Sequence, residues 1–68
     1  MTKERLLKEY AERIEYYDAL RSTEEDLLKI ARREGDPDAE LAIRRADIRR
    51  YGELRQLCYQ VTKDLEDL

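Results

Sequence analysis

The segment Glu34-Gly35-Asp36-Pro37-Asp38 is the strongest interruption in a sequence that otherwise has a helical pattern. Glycine is favoured just past the end of a helix because it adopts a positive φ at little steric cost. Aspartate is a preferred N-cap and proline is favoured at the first helical position, so Asp36 and Pro37 predict the start of a second helix. A connection this short indicates that the two helices are antiparallel neighbours.

Outward from this segment, the sequence predicts an all-α fold, an antiparallel hairpin of two long helices. We expect the helices at about residues 2–34 and 37–67, with the turn at Gly35–Asp36. The chain of 68 residues is short enough to be one domain, residues 1–68. Ser22-Thr23-Glu24-Glu25 matches a capping box that would break the first helix. No glycine or proline accompanies it, so a continuous first helix is favoured.

Each predicted helix carries a mainly apolar stripe whose residues are spaced alternately by three and four, as in a coiled-coil seam. The first stripe is Leu7, Tyr10, Ile14, Tyr17, Arg21, Glu24, Leu28 and Ala31. The second is Ile43, Asp47, Arg50, Leu54, Leu57, Val61, Asp64 and Leu68. When the chain folds at the turn, residue i lies level with residue number about 71 − i. Ile14 is therefore expected to face Leu57, and Tyr17 to face Leu54.

Charged residues interrupt both stripes at matching levels. Arg21 and Glu24 lie level with Arg50 and Asp47, and one helical turn of offset would pair Arg21 with Asp47 and Glu24 with Arg50. We interpret these four residues as a polar layer that fixes the register at a cost in stability. A catalytic or metal site is a weaker interpretation, because two arginines would compete with the carboxylates and histidine is absent.

Further apolar residues lie outside the two stripes. In the first helix these positions are Tyr16, Leu20, Thr23, Leu27 and Ile30. The second helix carries another alternating series, with Leu41, Ile48, Gly52 and Tyr59, nearly opposite its first stripe. Apolar residues on two faces indicate that a helix is covered from two sides.

A second apolar face predicts a partner. We expect a partner-binding surface made of Leu20, Leu27, Leu41, Ile48, Gly52 and Tyr59. Because a glycine inside a helix costs about 1 kcal/mol relative to alanine, Gly52 is expected to let another backbone approach closely. The simplest partner is a second copy, which would give a homodimeric four-helix bundle with two-fold symmetry.

Composition excludes several other classes of protein. Charged residues make up 46% of the chain with a net charge of −3, and their signs are interspersed, as on solvated helix faces. The first ten residues contain no apolar run, so neither a signal peptide nor a membrane span is predicted and a cytoplasmic location is expected. The single cysteine, Cys58, fits a reducing compartment and is expected to be buried. No catalytic, cofactor or metal motif is present, so we do not expect an enzyme.

Three functions remain open at this point. The leading hypothesis is a small self-associating protein–protein interaction module without catalytic activity. The alternative is an inhibitor or regulator, of the type carried by phages and mobile elements, that binds and blocks a larger enzyme or complex. A nucleic-acid-binding regulator would instead use the arginine-rich part of the second helix, Arg44, Arg45, Arg49, Arg50 and Arg55. The negative net charge and the spread of these arginines around the helix argue against it.

Overall fold

The computed structural model describes residues 2–68 and contains two α-helices, with no strand among these residues. They are α1 (Lys3–Glu34) and α2 (Asp38–Glu66), so the predicted all-α helical hairpin is confirmed. α1 is continuous through Ser22, which rules out a break at the capping-box sequence. Its 32 residues at a rise of about 1.5 Å each account for the molecule's long dimension of 49 Å.

Gly35 ends α1 in the left-handed conformation, with a φ of 74°. Its N–H donates to the carbonyl of Arg32 at 3.2 Å, and the N–H of Asp36 donates to the carbonyl of Ala31 at 3.0 Å. These two bonds satisfy carbonyls that the helix end would leave unpaired. The predicted role of glycine at this turn is therefore confirmed.

α2 begins one residue later than the sequence predicts. Pro37 is extended, with a φ of −58° and a ψ of 147°, and occupies the N-cap position that was assigned to Asp36. Its carbonyl accepts from the N–H groups of Glu40 and Leu41. Pro37 therefore starts the hydrogen-bond ladder from outside the helix, and no side chain caps this end.

Hydrogen bonds between the helices establish that they are antiparallel and give their register. Arg44 donates to Glu24 at 3.4 Å and Arg55 donates to Asp18 at 3.0 Å. At the open end, the Lys3 Nζ donates to the carbonyl of Glu66 at 3.4 Å. The residue numbers of these pairs sum to 68, 73 and 69, which brackets the predicted sum of about 71.

α1 turns its predicted stripe towards α2. Leu28 and Ala31 are buried, and the other apolar members of the stripe are half-buried. Thr2 caps this helix, since its hydroxyl accepts from the N–H of Arg5 at 3.2 Å.

The predicted contact face of α2 is wrong. Ile43 and Leu57, two members of the predicted stripe, are 62% and 61% exposed, so Leu57 is not buried against Ile14. The residues that face α1 are instead those one position later in the sequence than the predicted ones. We call them the contact stripe of α2. They are Arg44, Ile48, Tyr51, Arg55, Cys58, Thr62 and Leu65, with Leu41 extending the series towards the turn. One residue corresponds to a rotation of about 100° around the helix axis.

The rotation has a physical reason in the charged residues. The predicted stripe would place Asp47 and Arg50 at the centre of the contact, where desolvation is costly. In the contact stripe, Arg44 instead pairs with Glu24 and Arg55 pairs with Asp18. All four side chains keep part of their surface in water, which lowers the cost of desolvation.

The predicted polar layer does not form as proposed. Arg21 pairs with Glu25 of its own helix at 3.0 Å, and Glu24 pairs with Arg44. Within residues 2–68, neither Asp47 nor Arg50 has an ionic partner within 4.0 Å. The predicted layer therefore does not set the register of the hairpin.

Three of the residues predicted to bind a partner lie within the hairpin. Leu41 is 9% exposed and forms the core cluster with Leu28 and Ala31, and Ile48 packs against it. A Cβ atom added at Gly52 would lie 3.5 Å from Nη1 of Arg21, so Gly52 is next to a side-chain tip and no backbone approaches it. The prediction that Leu41 needs another chain to cover it is wrong, because α1 does so. Ile48 and Gly52 are half-buried beside α1, and their contact with a partner stays a prediction.

Candidate interaction surface

The hairpin leaves large apolar side chains in solvent on both helices. On α1, Tyr16 is 60% exposed and Ile30 is 46% exposed, while Leu27 is 37% exposed. Leu20 lies between them and is half-buried. These four residues share one flank of α1, because spacings of three, four and seven positions return to the same side of a helix. Leu20 and Leu27 were predicted to bind a partner.

α2 exposes a matching flank. Ile43 and Leu57 project into solvent, and Leu54 and Val61 are half-buried beside them. The flank coincides with the stripe that the sequence assigned to the hairpin contact. Its apolar members were therefore identified from the sequence but assigned to the wrong neighbour.

The two flanks lie on the same side of the hairpin. In an antiparallel pair, positions just before the seam residues of each helix flank the seam on one side, and positions just after them flank it on the other. Leu20 and Leu27 precede seam residues 21 and 28, while Leu54 and Val61 precede 55 and 62. A shallow groove on this side joins Glu24 of α1 to Ile43 and Asp47 of α2.

We call this side the apolar face. Its apolar members include Tyr16, Leu20, Leu27, Ile30, Ile43, Leu54, Leu57 and Val61. Its middle is more polar, since Thr23 on α1 and the Asp47 and Arg50 pair on α2 separate two groups of apolar side chains.

The opposite side, which we call the charged face, has a different composition. It carries Lys8, Glu15, Asp18, Glu25, Lys29, Arg32, Arg45, Arg49 and Lys63. Tyr59 belongs to this side and lies under two cations, with Arg55 at 5.8 Å and Lys63 at 5.5 Å from the ring centre. Tyr59 was predicted to bind a partner together with Leu20 and Leu27, but the structure does not bring it together with them.

The arginine-rich part of α2 does not form one surface. Arg44 and Arg55 are engaged with acids of α1. Arg45 and Arg49 lie on the charged face among acidic side chains, whereas Arg50 lies on the apolar face. A phosphate backbone is bound best by cations that line one side, and this distribution does not provide one.

No cluster of three or more histidine, cysteine, aspartate or glutamate side chains suitable for a metal is found in residues 2–68. Cys58 is buried, as expected. Neither helix, as far as the described residues go, contains a segment long and apolar enough to span a membrane.

Comparisons with known proteins add no relative. No protein-family model matches the chain, and no curated protein or solved structure is significantly similar to it.

Proposed function

We propose that this chain is a small protein–protein interaction module without catalytic activity, and that it associates with a second copy through the apolar face. The observation that carries the proposal is the apolar face, where both helices of a hairpin with a very small core expose large apolar side chains on one side. Only Leu28, Ala31, Leu41 and Cys58 are buried among the described residues. Small helical scaffolds commonly gain the missing stability by oligomerisation.

The accessible area supports the same proposal. The chain exposes 5341 Å², whereas the area–mass relation for folded monomers gives about 4,500 Å² for a mass of 8.2 kDa. The excess of about 800 Å² equals what one partner buries in a standard protein–protein interface. The radius of gyration is 15.5 Å, against about 11 Å for a compact domain of this length. A face-to-face pair would be thicker and would cover the excess.

Sedimentation equilibrium of the wild-type chain and of Leu57→Glu tests this proposal. We expect a wild-type dimer at tens of micromolar and a monomeric Leu57→Glu variant. The glutamate would be buried without a partner, which costs several kcal/mol, and the leucine's own burial would be lost. Because Leu57 is exposed in the single hairpin, the change removes no buried contact within it. Circular dichroism should show helices at low temperature that melt below the wild-type dimer, whose stability includes association.

Gln56→Glu is the matched control. It adds the same side chain one position earlier, at an exposed residue outside the apolar face, and should stay dimeric. A monomeric wild-type chain would contradict the proposal and favour a different protein as the partner, as in the inhibitor or regulator hypothesis. A dimer that survives Leu57→Glu would place the interface elsewhere.

A further inference from the structure

The exposed flank of α1 has a symmetric pattern. It reads Tyr16, Leu20, Thr23, Leu27 and Ile30. If this series is laid antiparallel on a copy of itself with Thr23 at the centre, Tyr16 meets Ile30 and Leu20 meets Leu27. Every large apolar residue then lies opposite a large apolar residue of the copy. Thr23, the polar position, lies opposite Thr23 of the copy.

The central part of the exposed flank of α2, from Ile43 to Leu54, has a symmetric pattern as well. Ile43, Asp47, Arg50 and Leu54 follow one another at spacings of four, three and four. An antiparallel copy centred between Asp47 and Arg50 places Ile43 against Leu54. It also places each Asp47 against an Arg50, so the charges are complementary.

The two centres lie at one level of the hairpin. Glu24 is hydrogen-bonded to Arg44 on one side of this level, and the tip of the Arg21 side chain lies beside Gly52 on the other. Thr23 therefore lies beside the segment of α2 that runs between residues 44 and 52, which contains the Asp47 and Arg50 pair. One two-fold axis generates both sets of matches, although the series on α1 and the series on α2 are independent in sequence.

We propose that two copies pack face to face about a two-fold axis that crosses the hairpin at Thr23 and between Asp47 and Arg50. α1 then lies antiparallel on the partner's α1, and α2 lies antiparallel on the partner's α2. This proposal rests on the proposed self-association and specifies how the two copies are oriented. It gives Asp47 and Arg50 the ionic partners that they lack within residues 2–68, so these residues fix the register between copies.

The positions of Asp47 and Arg50 distinguish this geometry from the other two-fold arrangement that would bring the apolar faces together. An axis parallel to the helices would place α1 on the partner's α2, with Leu27 over the partner's Ile43. Asp47 and Arg50 would then face the partner's Thr23 and the partner's Leu20. Two charges would be covered by apolar and neutral groups without compensation, which is unfavourable.

Charge reversal tests the axis. In Asp47→Arg, each copy would bring an arginine to the partner's Arg50, and in Arg50→Asp each copy would bring an aspartate to the partner's Asp47. Because like charges in an interface cost several kcal/mol and each tenfold in affinity is about 1.4 kcal/mol, each homodimer should weaken by about 100-fold. An equimolar mixture should form a heterodimer with both ion pairs restored, which native mass spectrometry resolves by mass.

Glu53→Arg and Arg49→Asp are the matched controls. They make the same charge changes at exposed positions of α2 outside the apolar face, and should neither weaken the homodimer appreciably nor favour a heterodimer. Homodimers of Asp47→Arg and Arg50→Asp that are as tight as the wild type, without heterodimer preference, would overturn the axis. If Leu57→Glu still dissociates the dimer in that case, the apolar face stands and only its orientation is wrong. A monomeric wild-type chain would overturn the proposed self-association and the axis with it.

Discussion

The half of the hairpin next to the turn and the open half are built differently. Next to the turn, Leu28 and Leu41 are buried around Ala31, which is 3% exposed. In the open half, Tyr10 and Tyr17 are only half-buried, and Cys58 is the buried residue there. Small and medium side chains can be covered between two helices, whereas two helices alone cannot enclose tyrosine rings. Stability is therefore concentrated near the turn, and the open half gains more from any further layer of protein.

The largest expected difference between the halves is in leucine truncation. Leu41→Ala should lower the free energy of unfolding by about 2–4 kcal/mol, because it opens a cavity among buried residues. Leu65→Ala makes the same change at a half-buried position of the contact stripe of α2, and should cost about 1 kcal/mol. Urea denaturation at one protein concentration measures both values. Equal losses would show that the open half is as well packed as the turn half.

The two glycines should respond to alanine with opposite signs. Gly35→Ala should destabilise by about 1–2 kcal/mol, because an L-residue is strained at the positive φ of the turn. Gly52→Ala should stabilise by about 1 kcal/mol, because alanine favours the helix and the added methyl group would make an ordinary contact with Arg21. Thermal denaturation gives both signs. A loss of stability at Gly52 would mean that another backbone does approach the helix there.

The smallest expected effect concerns the cross-helix ion pairs. Double-mutant cycles for Asp18 with Arg55 and for Glu24 with Arg44 should each give about 0.2–1 kcal/mol. Asp18 is 52% exposed and Glu24 is 21% exposed, so 1 M salt (a Debye length of about 3 Å) should remove more of the first coupling than of the second. If salt weakened both couplings equally, the exposure of these acids would not determine how strongly salt screens each ion pair.

Much of the fold is readable from local chemistry. Gly35 and Pro37 placed the turn, and the turn placed residues of α1 level with residues of α2. The spacing of Leu28 and Ala31 identified the correct face of α1. These features depend on backbone preferences and on one helix at a time, which a single sequence describes well.

The face of α2 depends on a competition that periodicity does not resolve. Two neighbouring stripes of similar apolar content differ by one residue, and the choice between them is decided by where Arg44 and Arg55 place their charged heads. The sequence did contain a clue to the correct face. Glu24 and Asp18 of α1 lie at about the same heights along the hairpin as Arg44 and Arg55, and an arginine in a helix contact needs an acid to pair with. Tyr59 was misplaced for the same reason. The apolar members Tyr16, Leu20, Leu27 and Ile30 were found because the face of α1 was correct.

Burial of Cys58 has a kinetic consequence. Its side chain is 7% exposed and lies in the contact stripe of α2, so a thiol reagent reaches the sulfur only when the helices of the open half separate. Its labelling rate equals the fraction of time spent open multiplied by the rate for an unprotected thiol, provided that closing is fast. The protein therefore carries its own probe of the fraction of time that the open half spends open.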